Sequence, residues 1–124
     1  SLRVVATGNI TDTNTSQRNI SGALTLTTTS DIILDEASFN YLSGPLALTG
    51  ANVNIRNSTA TNFASVNTTS LTVNSAGDIT QTGAITGLTV NTATNAILEA
   101  PGRTVTLTNA GNDFNSLTVN AGTV

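Results

Sequence analysis

Any chemistry in this chain must come from seven acidic residues, four arginines and many hydroxyl and amide side chains, because histidine, cysteine and lysine are all absent. Without those three types most nucleophile and proton-shuttle arrangements cannot be assembled. Paired carboxylates remain as the option for acid–base work. The acids are scattered, however: Asp12, Asp31 and Asp78 stand in separate corner-like stretches, where an Asp side chain can cap its own turn. The one dense spot, Asp35-Glu36, has no basic residue beside it. A polysaccharide-active enzyme is thus the weaker alternative, and no catalytic residue is assigned. Calcium-binding coils need a regular Asp ladder, whereas "SAGD" at 75–78 and "NAGND" at 109–113 occur once each, so neither a metal nor a cofactor is expected.

The hydroxyls and amides form a more regular pattern. If each recurring Leu marks the same point of a repeat, one outward column reads Arg3, Thr25, Ala47, Thr72, Thr89, Thr106 and Thr118. Two residues further on the column reads Val5, Thr27, Thr49, Asn74, Asn91, Thr108 and Asn120. The candidate outward ladder is therefore Thr25, Thr27, Thr49, Thr72, Asn74, Thr89, Asn91, Thr118 and Asn120. Such columns resemble the Thr-x-Thr arrays of ice-binding proteins, which makes an ice-binding module the second reading; Arg3, Val5, Ala47 and the repeated Asn depart from that pattern. Two longer excursions, 35–45 and 56–70, hold Phe39, Tyr41 and Phe63, three of the four aromatic residues: one aromatic of each run pointing inward would stack as core in adjacent coils, and pointing outward they form the candidate contact patch. Loops on repeat scaffolds often carry binding.

The elements that must position these side chains follow from composition. Only 9% of the chain is charged and 3% aromatic. Thr and aliphatic residues favour strands while Asn, Gly and Ser clusters favour turns, so the chain reads as all-β with many short strands. A net charge of −3 and the absence of a basic run give no electrostatic footprint for nucleic acid. No apolar run reaches the roughly 18 residues a membrane helix needs, so membrane insertion is not expected.

The strands recur. Successive copies read "LRVVATGNI" from Leu2, "LTLTTTSDI" from Leu24, "LALTGANVNI" from Leu46, "LTVNSAGDI" from Leu71, "LTVNTATNAI" from Leu88 and "LTVNAGTV" from Leu117. The intervals between them, about 17–29 residues, fall in or near the solenoid range. Each copy opens with a period-two alternation, the mark of a strand with one buried face. A second apolar point follows at Ile10, Ile32, Val53 with Ile55, Ile79 and Ile97, and a third at Ile20, Leu42, Val66, Ile85 and Phe114. Three apolar strokes per turn describe a coil of roughly triangular section, in which equivalent side chains stack about 4.8 Å apart. Leu24, Leu26, Leu46, Leu48, Leu71, Val73, Leu88 and Val90 are the expected interior columns. The expected fold is a right-handed parallel β-helix of five to six coils, each about 17–29 residues long.

"LTVNSAGDITQTGAITGLTVN" and "VTLTNAGNDFNSLTVNAG" resemble the repeat regions of filamentous haemagglutinin-type exoproteins, the large β-helix proteins of two-partner secretion and related surface adhesins. The resemblance is strongest over Ser70–Val124 and implies export to the bacterial cell surface and work as an adhesin, stalk or filament. The family's Asn-Pro motifs are missing, since neither Pro45 nor Pro101 follows Asn. Because the repeats supply architecture, no site residue carries over. The sequence opens on a core-type strand, "SLRVVAT", and closes on "SLTVNAGTV". The expectation is therefore one solenoid segment over 1–124, uncapped at both ends. Leu2, Val4, Leu117 and Val119 would then stack against further solenoid of the same chain or another copy of it, and surface glycans are the other expected partner.

Overall fold

The computed structural model describes residues 1–12, 18–35, 40–88 and 96–124. Fourteen strands and no helix are found among them. The first coil runs through β1 (Leu2–Val5), β2 (Ile10–Thr11) and β3 (Arg18–Ile20), and the second through β4 (Leu24–Thr27), β5 (Ile32–Leu34) and β6 (Asn40–Leu42). Each strand of the second coil lies parallel on its counterpart one coil earlier, with Leu2 on Leu24, Ile10 on Ile32 and Ile20 on Leu42. The step along the chain is the same on all three faces and equals the interval from Leu2 to Leu24, as the sequence spacing required.

The third coil starts in the same way. β7 (Pro45–Thr49) continues the first face and β8 (Asn52–Asn57) the second, placing Leu46 on Leu24 and Val53 on Ile32. The chain then shortens its turn. The stretch 56–70 is not a loop excursion, because it contains β9 (Thr61–Asn67), which lies directly on β7. Phe63 is thereby brought onto Leu46 after a shorter step than the one from Leu24 to Leu46. β10 (Ser70–Ser75) then falls on β8, so Leu71 sits on Val53 and Val73 on Ile55. Leu71 therefore belongs to the second face, not to the column of Leu24 and Leu46.

The consequence runs to the end of the chain. β11 (Ile79–Gln81) and β12 (Ile85–Thr86) both lie on β9, while β13 (Ala96–Thr104) lies on β10 and β14 (Leu117–Thr123) on β13. Leu71 is covered by Ala96, and Ala96 by Leu117. The copy beginning at Leu88 is not stacked on Leu71; Leu88 bridges Phe114 instead. Val90, Thr89 and Asn91 lie outside the described residues. Ile79 and Ile97 also leave their expected column: Ile79 lies on the first face between Thr61 and Val105, and Ile97 points outward beside Thr72.

The result is a parallel β-solenoid of about five turns, built on two six-stranded sheets and a short third one. Its interior is a continuous apolar column. Leu24, Leu26, Leu46, Leu48, Leu71, Val73 and Leu88 are all buried, as are Phe63, Val66 and Ile85. Burying side chains of this size stabilises the fold by roughly 1.5–3 kcal/mol each.

Several polar side chains of the interior are held by hydrogen bonds to backbone and side-chain groups around them. Asn57 is buried at the corner between β8 and β9. Its Oδ1 accepts the Leu42 N–H at 3.0 Å, and its Nδ2 donates to the Leu42 and Ala60 carbonyls at 3.0 and 3.1 Å. A buried amide is tolerated there because both of its ends are satisfied.

Candidate functional surface

Asp12 is not a corner residue. It follows β2 at an inward position, with its side chain 1% exposed and Arg18 Nη1 at 3.6 Å from Oδ2. The same Oδ2 accepts Asn40 Nδ2 at 2.9 Å. A carboxylate in this setting is compensated by a charge and an amide, and it faces the interior of the first coil.

Four other acids, Asp31, Asp35, Asp78 and Glu99, link successive coils rather than only capping their own turns. Asp31 Oδ1 accepts both the backbone N–H and the Nδ2 of Asn52, at 3.1 and 2.9 Å. Asp35 Oδ2 accepts Asn54 Nδ2 at 2.7 Å, Asp78 Oδ1 accepts the Thr104 N–H at 2.9 Å, and Glu99 Oε2 accepts Asn120 Nδ2 at 2.8 Å. In each case a carboxylate on one coil accepts a hydrogen bond from an amide N–H one coil later. Gln81 and Asn112 make the uncharged version, exchanging two hydrogen bonds at 2.8 and 2.7 Å. Among the described residues, no group of three or more acids is placed to hold a metal ion.

The outward ladder divides between two faces. Thr25, Thr27 and Thr49 lie on the first face, where Arg3, Thr25, Ala47 and Ser65 form one column and Val5, Thr27, Thr49 and Asn67 the next. Thr72 and Thr118 lie on the second face, in a column with Asn54 and Ile97; Asn74 and Asn120 lie beside them, in a column with Arg56 and Glu99. The split follows from the short third coil, which moves the copies beginning at Leu71 and Leu117 by one face. Among the described residues no single threonine array spans the solenoid, and the Ile97 and Glu99 side chains interrupt the second-face columns. The first face is the more uniform surface, made of small uncharged side chains apart from Arg3.

The aromatic patch also separates. Phe63 is fully buried between Leu46 and Gln81, so it is a core residue. Tyr41 is half-buried on the third face, opposite Asn19. Phe39 lies outside the described residues.

The two end coils carry the largest exposed apolar side chains. Leu2 is 45% exposed on the first face, with Val4 half-buried beside it, and Leu117 is 39% exposed on the second, with Val119 half-buried. Being on different faces, Leu2 and Leu117 do not continue one column; the column of Leu117 leads back through Ala96, Leu71, Val53 and Ile32 to Ile10. A concavity of about 240 Å³ opens at the first coil between Leu2, Val4, Ile10 and Ile20, floored by side chains of the second coil. One of about 690 Å³ opens at the last coil around Leu107, Phe114 and Leu117. Sequence spacing missed these hollows because it cannot show how far an end coil is filled.

Neither the curated proteins nor the solved structures give a match to the chain. Comparison with protein families matches residues 1–49 and again 50–121 to one family, described as repeats of unknown function (DUF5649). With nearly its whole length matched in two successive blocks, the chain belongs to this repeat family.

Proposed function

We propose that the chain is a structural and adhesive β-solenoid of the bacterial cell surface, one that works by shape and not by turnover. The observation that carries this reading is the use of its polar groups. Four acids, Asp31, Asp35, Asp78 and Glu99, are engaged in joining coil to coil, and the first face is left as a stiff surface of small hydroxyl, amide and methyl groups. Parallel ladders make such a surface rigid over several coils. Hydroxyls and amides in fixed rows suit a neighbouring chain or a surface glycan, both of which offer hydrogen-bonding groups in return. The resemblance of the repeats to filamentous haemagglutinin-type exoproteins supports the cell-surface setting.

The reading is tested by coating inert beads with the chain and counting their attachment to glycan-bearing surfaces. Coated beads should attach where bare beads do not. A Thr25→Ala, Thr27→Ala, Thr49→Ala variant should lose most of the attachment while keeping its melting temperature, since these side chains are on the outer face. Attachment no better than that of bare beads, or unchanged in the triple variant, would remove the first face from any adhesive role.

A further inference from the structure

In a regular coil the backbone has no edge to offer, because each inner strand is paired with the coil before it and the coil after it. Arg56 is an example: it lies in β8, which pairs with β5 on one side and with β10 on the other, where Arg56 is in register with Asn74. An endopeptidase binds its substrate as an extended segment whose backbone it pairs with, so a strand held on both edges is closed to it. A peptide bond is presented only where the ladder opens.

The ladder opens in β13. Ala100 pairs with Ala121 and Thr104 with Thr123 in β14, so Pro101, Gly102 and Arg103 together stand opposite the single residue Gly122. On the other edge, pairing with β10 ends at Glu99, beside Asn74, and contact with that coil resumes where Val105 bridges Ile79. The residue types account for the opening. Pro101 has no N–H to give to a neighbouring strand. Gly102 takes a φ of 70°, which glycine adopts without strain, and a methyl group placed on it would meet nothing within 4 Å. Pro101, Gly102, Arg103 and Thr104 are all exposed, whereas no other described strand has more than two exposed residues in succession. The base of the bulge is fixed, since Ala100 and Val105 are buried. The Thr104 N–H donates to Asp78 Oδ1 at 2.9 Å, in a hydrogen bond open to water that is released at little cost. A short exposed tip on a fixed base is the kind of place where folded proteins are nicked.

Arginine gives this tip its specificity. Lysine is absent, so a peptidase that cuts after basic residues has four positions to choose from. Arg18 is turned to Asp12, at 3.6 Å, and Arg56 lies in a strand paired on both edges. Arg3 lies in β1, in register with Thr25, and a cut there would trim only Ser1, Leu2 and Arg3.

We propose that the Pro101-Gly102-Arg103 bulge is a processing site for an arginine-specific endopeptidase, cut between Arg103 and Thr104, and that the cut solenoid stays in one piece. Water adds across the Arg103–Thr104 amide bond, leaving a carboxylate on Arg103 and an ammonium group on Thr104; no other reactant takes part. The piece after the cut stays seated by its pairing: Leu117 on Ala96, Ala121 on Ala100, Val105 on Ile79, and Asn112 with Gln81. This goes beyond the adhesive reading and does not depend on it.

Trypsin serves as the probe, applied to the folded chain below its melting temperature, with the products identified by mass. All chains carry Arg3→Gln, so that trimming in the first strand does not enter the rates. The expected first product is the chain cut after Arg103, whose two fragments elute together in gel filtration and separate in urea. Arg103→Gln should slow the first cut by about tenfold or more, because the remaining arginines are reached only through unfolding. Arg103→Lys should restore it. The side chain at 103 is exposed, so the melting temperature should be the same in all three chains. A first cut after Arg18 or Arg56, or an equal rate in Arg103→Gln and its parent, would overturn the processing site. Fragments that separate without urea would overturn the claim that the cut solenoid stays whole.

Discussion

Leu71→Asp should destabilise the protein by about 4 kcal/mol or more, the cost of placing an unpaired carboxylate in an apolar column. Leu71 is 1% exposed, with Val53 on one side and Ala96 on the other. Neither neighbour offers a side-chain donor, and the nearest described coils place leucine, valine or alanine at the equivalent inward positions. Leu117→Asp makes the same chemical change two coils further along the same column, where the side chain is 39% exposed. Water solvates most of the new charge there, so the loss should be about 1 kcal/mol or less. Thermal or urea unfolding of the two variants checks both values. Equal losses would mean that the two leucines do not occupy the middle and the edge of one stack.

Gly83→Ala should cost about 3 kcal/mol, for a reason specific to the short coil. In the pairing of β7 with β9, Leu46 meets Phe63 but Ala47 meets Ser65, so Ala64 is an extra residue bulged out of the ladder. The following coil must pass over that bulge. It does so by breaking into β11 and β12, with Thr82 and Gly83 both donating to the Phe63 carbonyl and Gly83 lying against Ala64. A Cβ on Gly83 would overlap the Ala64 carbonyl oxygen, which is backbone and cannot swing away. Gly8→Ala is the control, since a Cβ there meets nothing within 4 Å, and it should change stability by less than about 0.5 kcal/mol. The comparison of the two unfolding midpoints tests whether the bulge fixes the path of the next coil.

The same bulge explains where the sequence stopped being legible. In the second and third coils Leu24-Thr25-Leu26-Thr27 and Leu46-Ala47-Leu48-Thr49 alternate strictly, and their spacing, equal to that of Leu2 from Leu24, leads to the observed pairing. In β9 the inward residues Phe63 and Val66 are three apart, because Ala64 is extra, so period-two alternation fails and the segment reads as an irregular excursion. Once β9 is missed, the copies of Leu-Thr-Val-Asn at Leu71 and Leu117 are placed one face too early. The motif does recur in one column, but at Leu71 and Leu117 with Ala96 between them, and the copy at Leu88 is elsewhere. Similar residues mark similar strand chemistry on any face, so identity of motif does not fix identity of position.

The surface was legible in kind but not in arrangement. Alternation separated outward Thr and Asn from inward Leu and Val in each described strand of the ladder. Which outward residues share a face depended on the coil lengths, and these turn on the bulge. The roles of the acids were hidden for a related reason. Asp31, Asp35, Asp78 and Glu99 find their partners one coil further along the chain, where only the three-dimensional stack brings donor and acceptor together.

That the chain works as a rod of stacked parallel coils is tested most directly by electron microscopy of the concentrated protein, with fibre diffraction from aligned material. The expected result is unbranched rods one solenoid wide, with a meridional reflection near about 4.8 Å from strands running across the rod axis. Compact round particles at every concentration, without a meridional reflection near about 4.8 Å, would contradict it.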